Sequence, residues 1–516
     1  MSIATFAANP TAITLKDPYV LHGRQLRDGF QLEDTSRYSE DIWRLTPAIV
    51  QAHKTAMILN FPTLPQRFRP AAKRLFYALL SLEEPDGEES PGIATLRGYF
   101  GEIKRFLKWL DRRWAPERNE LSELSPRDID DYGRYLLARF PNNQAQRERS
   151  RGPLRLFWRW RQHLGQDALR FDPRHLDGWS ESRRTRRGEN DTDRLPEHVL
   201  GPLLVWALRF IDDFAPDILK ADRQWHAARV IRPARSSAHN QAGERLQQLL
   251  DEHVEAGRSL PGFQGKPNIL HLAQVVDCHR STINRNRPAV DNAVAIVGVT
   301  DSTFLENIQG RLDGRPWIGS IATNYNKNNS IATLARCLQA ACYSVIAYFS
   351  GMRDSEVKHI RRGSLETKYD EDGRAYRRKL HSLAFKGEDD VAGVPATWVV
   401  NELVARAIKV LEQLQPASQN YLFGRLPHIS GTREDTNAAL SNHTTNRQLN
   451  KFTEFVNRLC DEHGRTDTIA AGPGHAIRVQ TRKFRRTLAW YVARRPGGVI
   501  AGALQYRHHS IQMFEG

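Results

Sequence analysis

Apolar positions recur at helical spacing along most of the chain. Three helices are predicted between residues 93 and 170. The first has apolar residues three or four apart over 96–110, and the third, roughly 145–164, is both basic and aromatic. The second begins at Ser125–Pro126, where serine suits the N-cap and proline the first helical position. This stretch is therefore predicted to be a small helical module.

The second half of the chain alternates between helical and strand-like patterns. An amphipathic helix is predicted from Leu195–Pro196 to about residue 219, and 332–349 is apolar nearly all round, as a buried helix would be. Residues 376–400 change period and predict two strands joined by KGEDDVAG, and helices resume from about 401. The pattern predicts a mainly α fold with a small antiparallel β-sheet (α+β).

Shifts in composition suggest domain boundaries. Residues 1–90 form an N-terminal region of unknown role, and 93–170 form the helical module. The polar, basic segment 171–194 is predicted to be a linker. A large domain follows over 195–516, with an irregular insertion or subdomain at about 221–315.

The insertion contains a segment with helix-turn-helix spacing, LAQVVDCHRSTINR at 272–285. Ala273 falls where the two helices would cross, Asp277 at the turn and Ile283 on the buried face of the second helix. The usual glycine of the turn is missing, so an ordinary helical hairpin is the alternative.

The net charge of the chain indicates a candidate binding partner. The 516 residues include 75 Lys and Arg against 59 Asp and Glu, a net charge of +16. A polyanion such as nucleic acid is the favoured partner, and a merely basic protein is the alternative. The linker arginines, which are Arg183, Arg184, Arg186 and Arg187, are candidates for DNA phosphates, although a solvated linker gives the same pattern.

The sequence gives little support for a zinc-binding, disulfide-rich, secreted, membrane-spanning or cofactor-dependent protein. The four cysteines form no CxxC pair, so neither a zinc ribbon nor a disulfide framework is predicted, and we expect a reduced cytoplasmic protein, associated with the nucleoid if bacterial. The N-terminus does not resemble a signal peptide, and no apolar run reaches the roughly 18 residues of a membrane span. No cofactor, metal site or ATP motif is predicted.

Two segments carry candidate chemistry. In SGMRDSEV, residues 350–357, Arg353 starts a helix beneath the buried one, a position suited to an anion. A salt bridge from Arg353 to Glu356 is the alternative. From Arg478 to the end there are eight Lys and Arg and one acid, Glu515, which favours a phosphate site.

These segments resemble the tyrosine recombinase (phage integrase) family. SGMRDSEV is similar to the first arginine box of that family, with Arg353 and Glu356, and Lys386 matches its hairpin lysine. RKFRRT is similar to the second arginine box, with Arg485, and YRHHSI to the L-G-H-x-S-I box, with His508 at the expected 23 residues beyond Arg485. The resemblance covers 195–516 as a catalytic domain and 93–170 as a SAM-like core-binding domain.

The resemblance implies a site-specific recombinase or integrase of a mobile element that cuts and rejoins double-stranded DNA through a 3′-phosphotyrosine. Arg353 and Arg485 would hold the non-bridging phosphate oxygens, and His508 would add a hydrogen bond. Lys386 would be the general acid for the leaving 5′-oxygen. The family works without a metal, as a homotetramer on two recombination sites, and no membrane is involved.

The sequence departs from the family pattern in three ways. Arg507 replaces the glycine that precedes the histidine of the L-G-H-x-S-I box. Arg482 stands where the family has a histidine; it can assist the arginines but cannot take a proton from tyrosine. The nucleophilic tyrosine is expected at position 517, one residue beyond Gly516. Tyr506 and Tyr491 are the nearest alternatives, and packing is the default role of Tyr506. The alternatives are a truncated, cleavage-deficient DNA-binding paralogue and a type IB topoisomerase.

Overall fold

The computed structural model describes residues 17–54, 57–82, 91–180, 193–229, 239–301, 303–305, 307–322, 328–386, 388, 390–428, 438–469 and 478–506. Helices predominate there and the strands form small sheets, which confirms the mainly α class. The chain divides into two compact units, Met1–Arg187 and Gly188–Gly516.

The first unit is helical apart from one two-stranded sheet. Its described elements are β1 (Ile42–Arg44), β2 (Ile58–Asn60), α1 (Arg69–Ser81), α2 (Ile93–Asp111), α3 (Pro126–Arg139) and α4 (Gln144–Arg159). Short 3-10 turns lie at Leu32–Asp34, Thr46–Ala48, Phe61–Thr63, Gln66–Phe68, Leu121–Glu123, Arg161–His163, Gly165–Asp167 and Pro173–His175. Ser125 caps α3 as predicted: its hydroxyl accepts from the Asp128 N–H (3.3 Å). Asp128 completes a capping box, because its carboxylate accepts from the Ser125 N–H (3.0 Å).

One continuous core runs through the first unit, from Val20 to Trp179. Phe61 packs edge-on against Phe100 of α2, with ring centroids 5.5 Å apart. The described part of the N-terminal region therefore shares a core with the helical module instead of folding apart from it. The start of the expected linker also belongs here, because Trp179 is buried in this core. Arginine-rich 181–192 lies outside the described residues.

The second unit contains most of the secondary structure. Its helices are α5 (Glu197–Arg209), α6 (Ala215–Arg229), α7 (His239–Glu255), α8 (Ile269–Val275), α9 (Arg280–Arg285), α10 (Arg287–Val297), α11 (Ile331–Ser350), α12 (Asp354–Lys358), α13 (Glu402–Leu414), α14 (Asn442–His463), α15 (Thr481–Ala493) and α16 (Gly498–Gln505). Its strands are β3 (Leu260–Phe263), β4 (Lys266–Pro267), β5 (Val299–Asp301), β6 (Thr303–Leu305), β7 (Arg311–Leu312), β8 (Arg315–Pro316), β9 (Ile321–Ala322), β10 (Leu365–Tyr369), β11 (Ala375–Ala384) and β12 (Val394–Val400).

The helix predicted from residue 195 to about 219 is two helices. A five-residue π-helical segment, Phe210–Phe214, joins α5 to α6, which continues to Arg229. Ala221 and Trp225 of α6 are buried in the main core of the unit. The segment that stands apart from this core therefore begins after α6, later than the predicted 221, because α6 keeps an apolar face.

Helix α11 is the centre of the second unit, where it packs against α5, α6, α13, α14 and α15. Ser330 caps its start, and Gly351 ends it in the left-handed conformation (φ 69°). The helix is long and apolar enough to cross a membrane, but 83% of its apolar window is buried inside the protein. It is therefore the buried core helix that the sequence predicted.

The predicted strand–loop–strand corresponds to β11 and β12. Strand β10, which was not predicted, pairs with β11 and completes an antiparallel sheet in the order β10–β11–β12. Residues 385–393 connect β11 to β12. The Ser382 hydroxyl of β11 donates to the Glu356 carbonyl (2.6 Å) and so attaches the sheet to α12. A second sheet, β4–β3–β5, lies at the base of the inserted segment and pairs β3 with β5 in parallel.

Candidate functional site

The turn between α11 and α12 determines where Arg353 lies. Gly351 adopts a positive φ (69°), and a Cβ there would stand 2.8 Å from the Tyr506 ring. A glycine is therefore required both for the backbone conformation and for the space. The chain reverses sharply at this point, and Arg353 comes to the N-terminus of α12.

Glu356 is the shared counter-ion of two arginines. Its side chain is 1% exposed, and it accepts hydrogen bonds from the Arg353 backbone N–H (2.5 Å) and from Arg353 Nη1 (2.8 Å). Its Oε2, the oxygen that accepts from the Arg353 backbone N–H, lies 3.9 Å from Nη1 of Arg485, which comes from α15. The salt bridge that was the alternative interpretation of Arg353 is thus present. It extends to a second arginine far away in the sequence.

Backbone carbonyls hold Arg485 in place. Its Nη1 donates to the Gly351 carbonyl (2.6 Å) across 134 residues, and its Nη2 to the Tyr506 carbonyl (2.8 Å). Burial, followed by repulsion from Arg353, lowers the pKa of Arg485 to about 10, so the guanidinium stays protonated at neutral pH. Two guanidiniums against one carboxylate leave a net positive charge at this point. Such a cluster favours an anion.

Lys386 lies where the sequence predicted, in the connection between β11 and β12, and is exposed. Its neighbour Phe385 packs against His359, just beyond α12, with ring centroids 4.4 Å apart. This contact and the Ser382 hydrogen bond tie the base of the connection to the helix that carries Arg353. The described contacts do not join the ammonium of Lys386 to either arginine of the cluster.

Arg482 does not join the cluster through its described contacts. It is exposed on α15, one turn before Arg485, and its Nε donates to Gln480 Oε1 (3.0 Å). His508 lies outside the described residues, and so do the linker arginines, which are Arg183, Arg184, Arg186 and Arg187.

The two tyrosines nearest to the cluster in sequence both have engaged hydroxyl groups. Tyr506 is 2% exposed, donates to the Arg485 carbonyl (3.0 Å) and has its pKa raised by burial. The Tyr491 hydroxyl donates to Glu197 Oε1 (2.6 Å), and this hydrogen bond raises the pKa of Tyr491 to about 12. Both side chains have structural partners, in line with a packing role.

A buried polar network beneath the site was missed by sequence reasoning. Lys358 is fully buried, with its ammonium against the Thr445 hydroxyl and 3.8 Å from Asp354 Oδ1. Asp354 also accepts from the Tyr343 hydroxyl (2.7 Å). Burial lowers the pKa of Lys358 to about 8. The spacing of Asp354 and Lys358, one helical turn apart, was the available signal for an ion pair.

One group of possible metal ligands exists among the described residues. Asp222, His226 and His428 place one ligand atom each within 4.8 Å of one another. Asp222 and His226 are one turn apart on α6, but His428 is 206 residues beyond Asp222, so the sequence could not reveal the group. Asp222 Oδ1 and His428 Nε2 are hydrogen-bonded directly (2.5 Å), which accounts for the proximity of this buried pair without an ion.

No family model matches the chain, and a search of the curated proteins finds no match. The arginine cluster and Lys386 in the strand connection are the features of the structure that bear on its function.

Proposed function

We propose that the protein is a site-specific DNA recombinase or integrase of the tyrosine type, which cuts and rejoins DNA through a 3′-phosphotyrosine. The observation that carries this proposal is the convergence of Arg353 and Arg485 on the buried carboxylate of Glu356. The proposal assigns α2, α3 and α4 of the first unit to the core-binding domain and the second unit to the catalytic domain.

The two arginines suit a phosphodiester in the transition state of strand cleavage. Attack at phosphorus places extra negative charge on the non-bridging oxygens, and cations held in place beforehand need no reorganisation to stabilise it. Glu356 and the carbonyls of Gly351 and Tyr506 provide that fixation. The side chain of Arg353 is 23% exposed and that of Arg485 is 15% exposed, so both arginines keep some access to solvent.

In the proposed reaction the tyrosine hydroxyl gives its proton to water and its oxygen forms a bond to phosphorus, while the bond from phosphorus to the 5′-oxygen breaks. Lys386 gives its proton to the leaving 5′-oxygen, and strand joining reverses these steps. An exposed lysine in a strand connection can move to the DNA while the base of the connection stays attached through Ser382. The phosphodiester energy is retained in the covalent link, so the reaction needs no nucleotide.

Double-stranded DNA is the partner in this proposal, with a homotetramer on two sites. The net charge of +16 favours a polyanion, and neutralising several phosphates makes binding strongly dependent on salt. A cytoplasmic location, with the nucleoid as the bound partner in a bacterium, is part of the same proposal.

A second candidate function is a protein that occupies recombination sites without cutting them. Arg482 favours it, because this residue replaces a proton acceptor of the family and its Nε is bonded to Gln480. Binding would then use the arginine cluster, while no group at this position could take the proton of a nucleophilic tyrosine.

Covalent capture of DNA distinguishes the two candidates. The chain is prepared with a tyrosine added at position 517 and, as a matched control, with a phenylalanine added there. Each is incubated with a nicked, labelled duplex that carries its site and is then run on a denaturing gel. A labelled band with the tyrosine and none with the phenylalanine supports the recombinase. Binding by both without a band from either supports the second candidate, and failure of both to bind overturns the arginine-cluster argument.

Lys386→Ala, made in the chain that carries the added tyrosine at position 517, tests the general acid. We expect cleavage to slow by about 10²–10⁴-fold, because the leaving oxygen loses its proton donor. The folded structure should be unaffected, since Lys386 is exposed. A substrate with sulfur at the bridging 5′ position has a better leaving group and should restore the rate. An unrescued variant would place the general acid elsewhere.

A further inference from the structure

The segment inserted after α6 has a hydrophobic core of its own. This core is separate from the main core of the second unit, and its buried members are Leu246, Leu250, Leu260, Leu272, Ala273, Val276, Ile283, Val290 and Ala293. They come from α7, α8, α9, α10, strand β3 and the turn between α8 and α9. A cluster that buries its own apolar faces can present a surface of its own to a partner.

Helices α8 and α9 are joined by a four-residue turn, 276–279, which is the order of elements in a helix-turn-helix. Asp277 takes the left-handed conformation (φ 55°), and the Cys278 N–H donates to the Ala273 carbonyl (2.9 Å), which closes α8 with a Schellman-type bond. His279 then caps α9 by accepting from the Ser281 N–H (3.2 Å). Aspartate tolerates the left-handed region better than most residues, so it replaces the usual glycine. Ala273 and Ile283 are both buried, as the sequence predicted.

The outer face of α9 is polar and basic. Arg280, Asn284 and Arg285 are exposed, while Thr282 and Ile283 face the core. The stretch 279–287, HRSTINRNR, has three arginines and no acid. Arginine can bind guanine O6 and N7, and asparagine can bind adenine N6 and N7, each through two hydrogen bonds. These are the side chains that read base edges in the major groove.

We propose that α9 enters the major groove of duplex DNA, so that the inserted segment is a second, sequence-reading DNA-binding unit separate from the arginine cluster. Asn284 and Arg285 read neighbouring bases, and Arg280 lies at the start of the helix, where such helices contact base edges. The inference goes beyond the proposed function, since it requires neither strand cleavage nor the family resemblance.

Selection from a random library tests the inference with the full chain. Duplexes randomised over about one helical turn, roughly 10 base pairs, are selected by the protein and sequenced. Asn284→Ala removes an amide without changing the charge, and its matched control is Asn292→Ala, an exposed asparagine on α10. Arg285→Ala is matched by Arg245→Ala, an exposed arginine on α7. All four changes are on the surface, and circular dichroism checks that the variants are folded.

The expected result is a recovered sequence whose binding depends on α9. Each α9 variant should lose about 5- to 150-fold in affinity for the recovered duplex and less for an unrelated one, while the controls keep the preference. The inference is overturned if the α9 variants bind the recovered duplex as the wild type does, or if the controls lose as much. A protein-docking role for this face would give the first of these results. Because binding is measured without cleavage, failure of strand transfer leaves the outcome unchanged.

Discussion

Lys358 is a buried ionisable residue that should make the stability of the protein depend on pH. It is fully buried beneath Arg353, with Asp354 3.8 Å away and the Tyr343 ring centroid 4.9 Å from its ammonium. Burial disfavours the charged form and lowers the pKa from 10.5 to about 8. Each tenfold change in the proton equilibrium is worth about 1.4 kcal/mol. The lowered pKa therefore means that the protonated lysine reduces the free energy of unfolding by about 3 kcal/mol.

The sign of the pH dependence follows from this lowered pKa. Between pH 8 and 10.5 the unfolded chain keeps a proton on Lys358 that the folded protein has released. Raising the pH through this window therefore favours the folded state, and below pH 8 the cost is present in full. Between pH 7 and 9.5 the group should add about 2 kcal/mol to the free energy of unfolding.

Lys358→Met removes the titrating group and keeps an unbranched apolar side chain. Urea denaturation of both proteins from pH 7 to 9.5, followed by circular dichroism, gives the difference in the free energy of unfolding. Subtracting the free energy of unfolding of the variant from that of the wild type cancels the contributions of the other titrating groups. These include Tyr343, whose pKa is raised well above its usual range by burial and by Asp354. We expect the wild type to gain relative to the variant as the pH rises. A difference that stays flat across the range would refute the burial argument.

Two further substitutions test the packing around the site and the core. Gly351→Ala should cost more than 2 kcal/mol in urea denaturation, because a left-handed alanine costs about 1–2 kcal/mol and its Cβ meets the Tyr506 ring. Gly363 also has a positive φ (75°), but nothing lies within 4 Å of a Cβ added there. Gly363→Ala should therefore show only the cost of the left-handed backbone. Asp217→Ala should lower the free energy of unfolding by about 3–5 kcal/mol, because the buried Asp217 carboxylate accepts hydrogen bonds from three N–H groups. Asp251 is exposed, so Asp251→Ala should change this free energy by no more than about 0.5 kcal/mol. Equal losses in either pair would contradict these assignments.

Local features of the fold were predictable from the sequence. The apolar pattern of 332–349 gave the buried helix α11, the change of period at 376–400 gave β11 and β12, and Ser125–Pro126 gave the start of α3. These features depend on side-chain spacing and on caps within a few residues, which the order of the chain determines directly. The candidate site residues Arg353 and Arg485 were identified in another way, through the resemblance of their segments to the two arginine boxes of the tyrosine recombinase family.

Contacts between distant segments were decided only by the tertiary structure. Glu356 pairs with Arg485, in addition to its local partner Arg353, because α15 packs on α11. This packing depends on apolar faces, whose sequence does not specify which element they contact. The same cause buries Lys358 against Thr445 of α14. The sequence therefore determines which side chains are available and on which element each lies. Packing over the whole unit determines which charges meet, which are buried, and where a net positive charge is left for an anion.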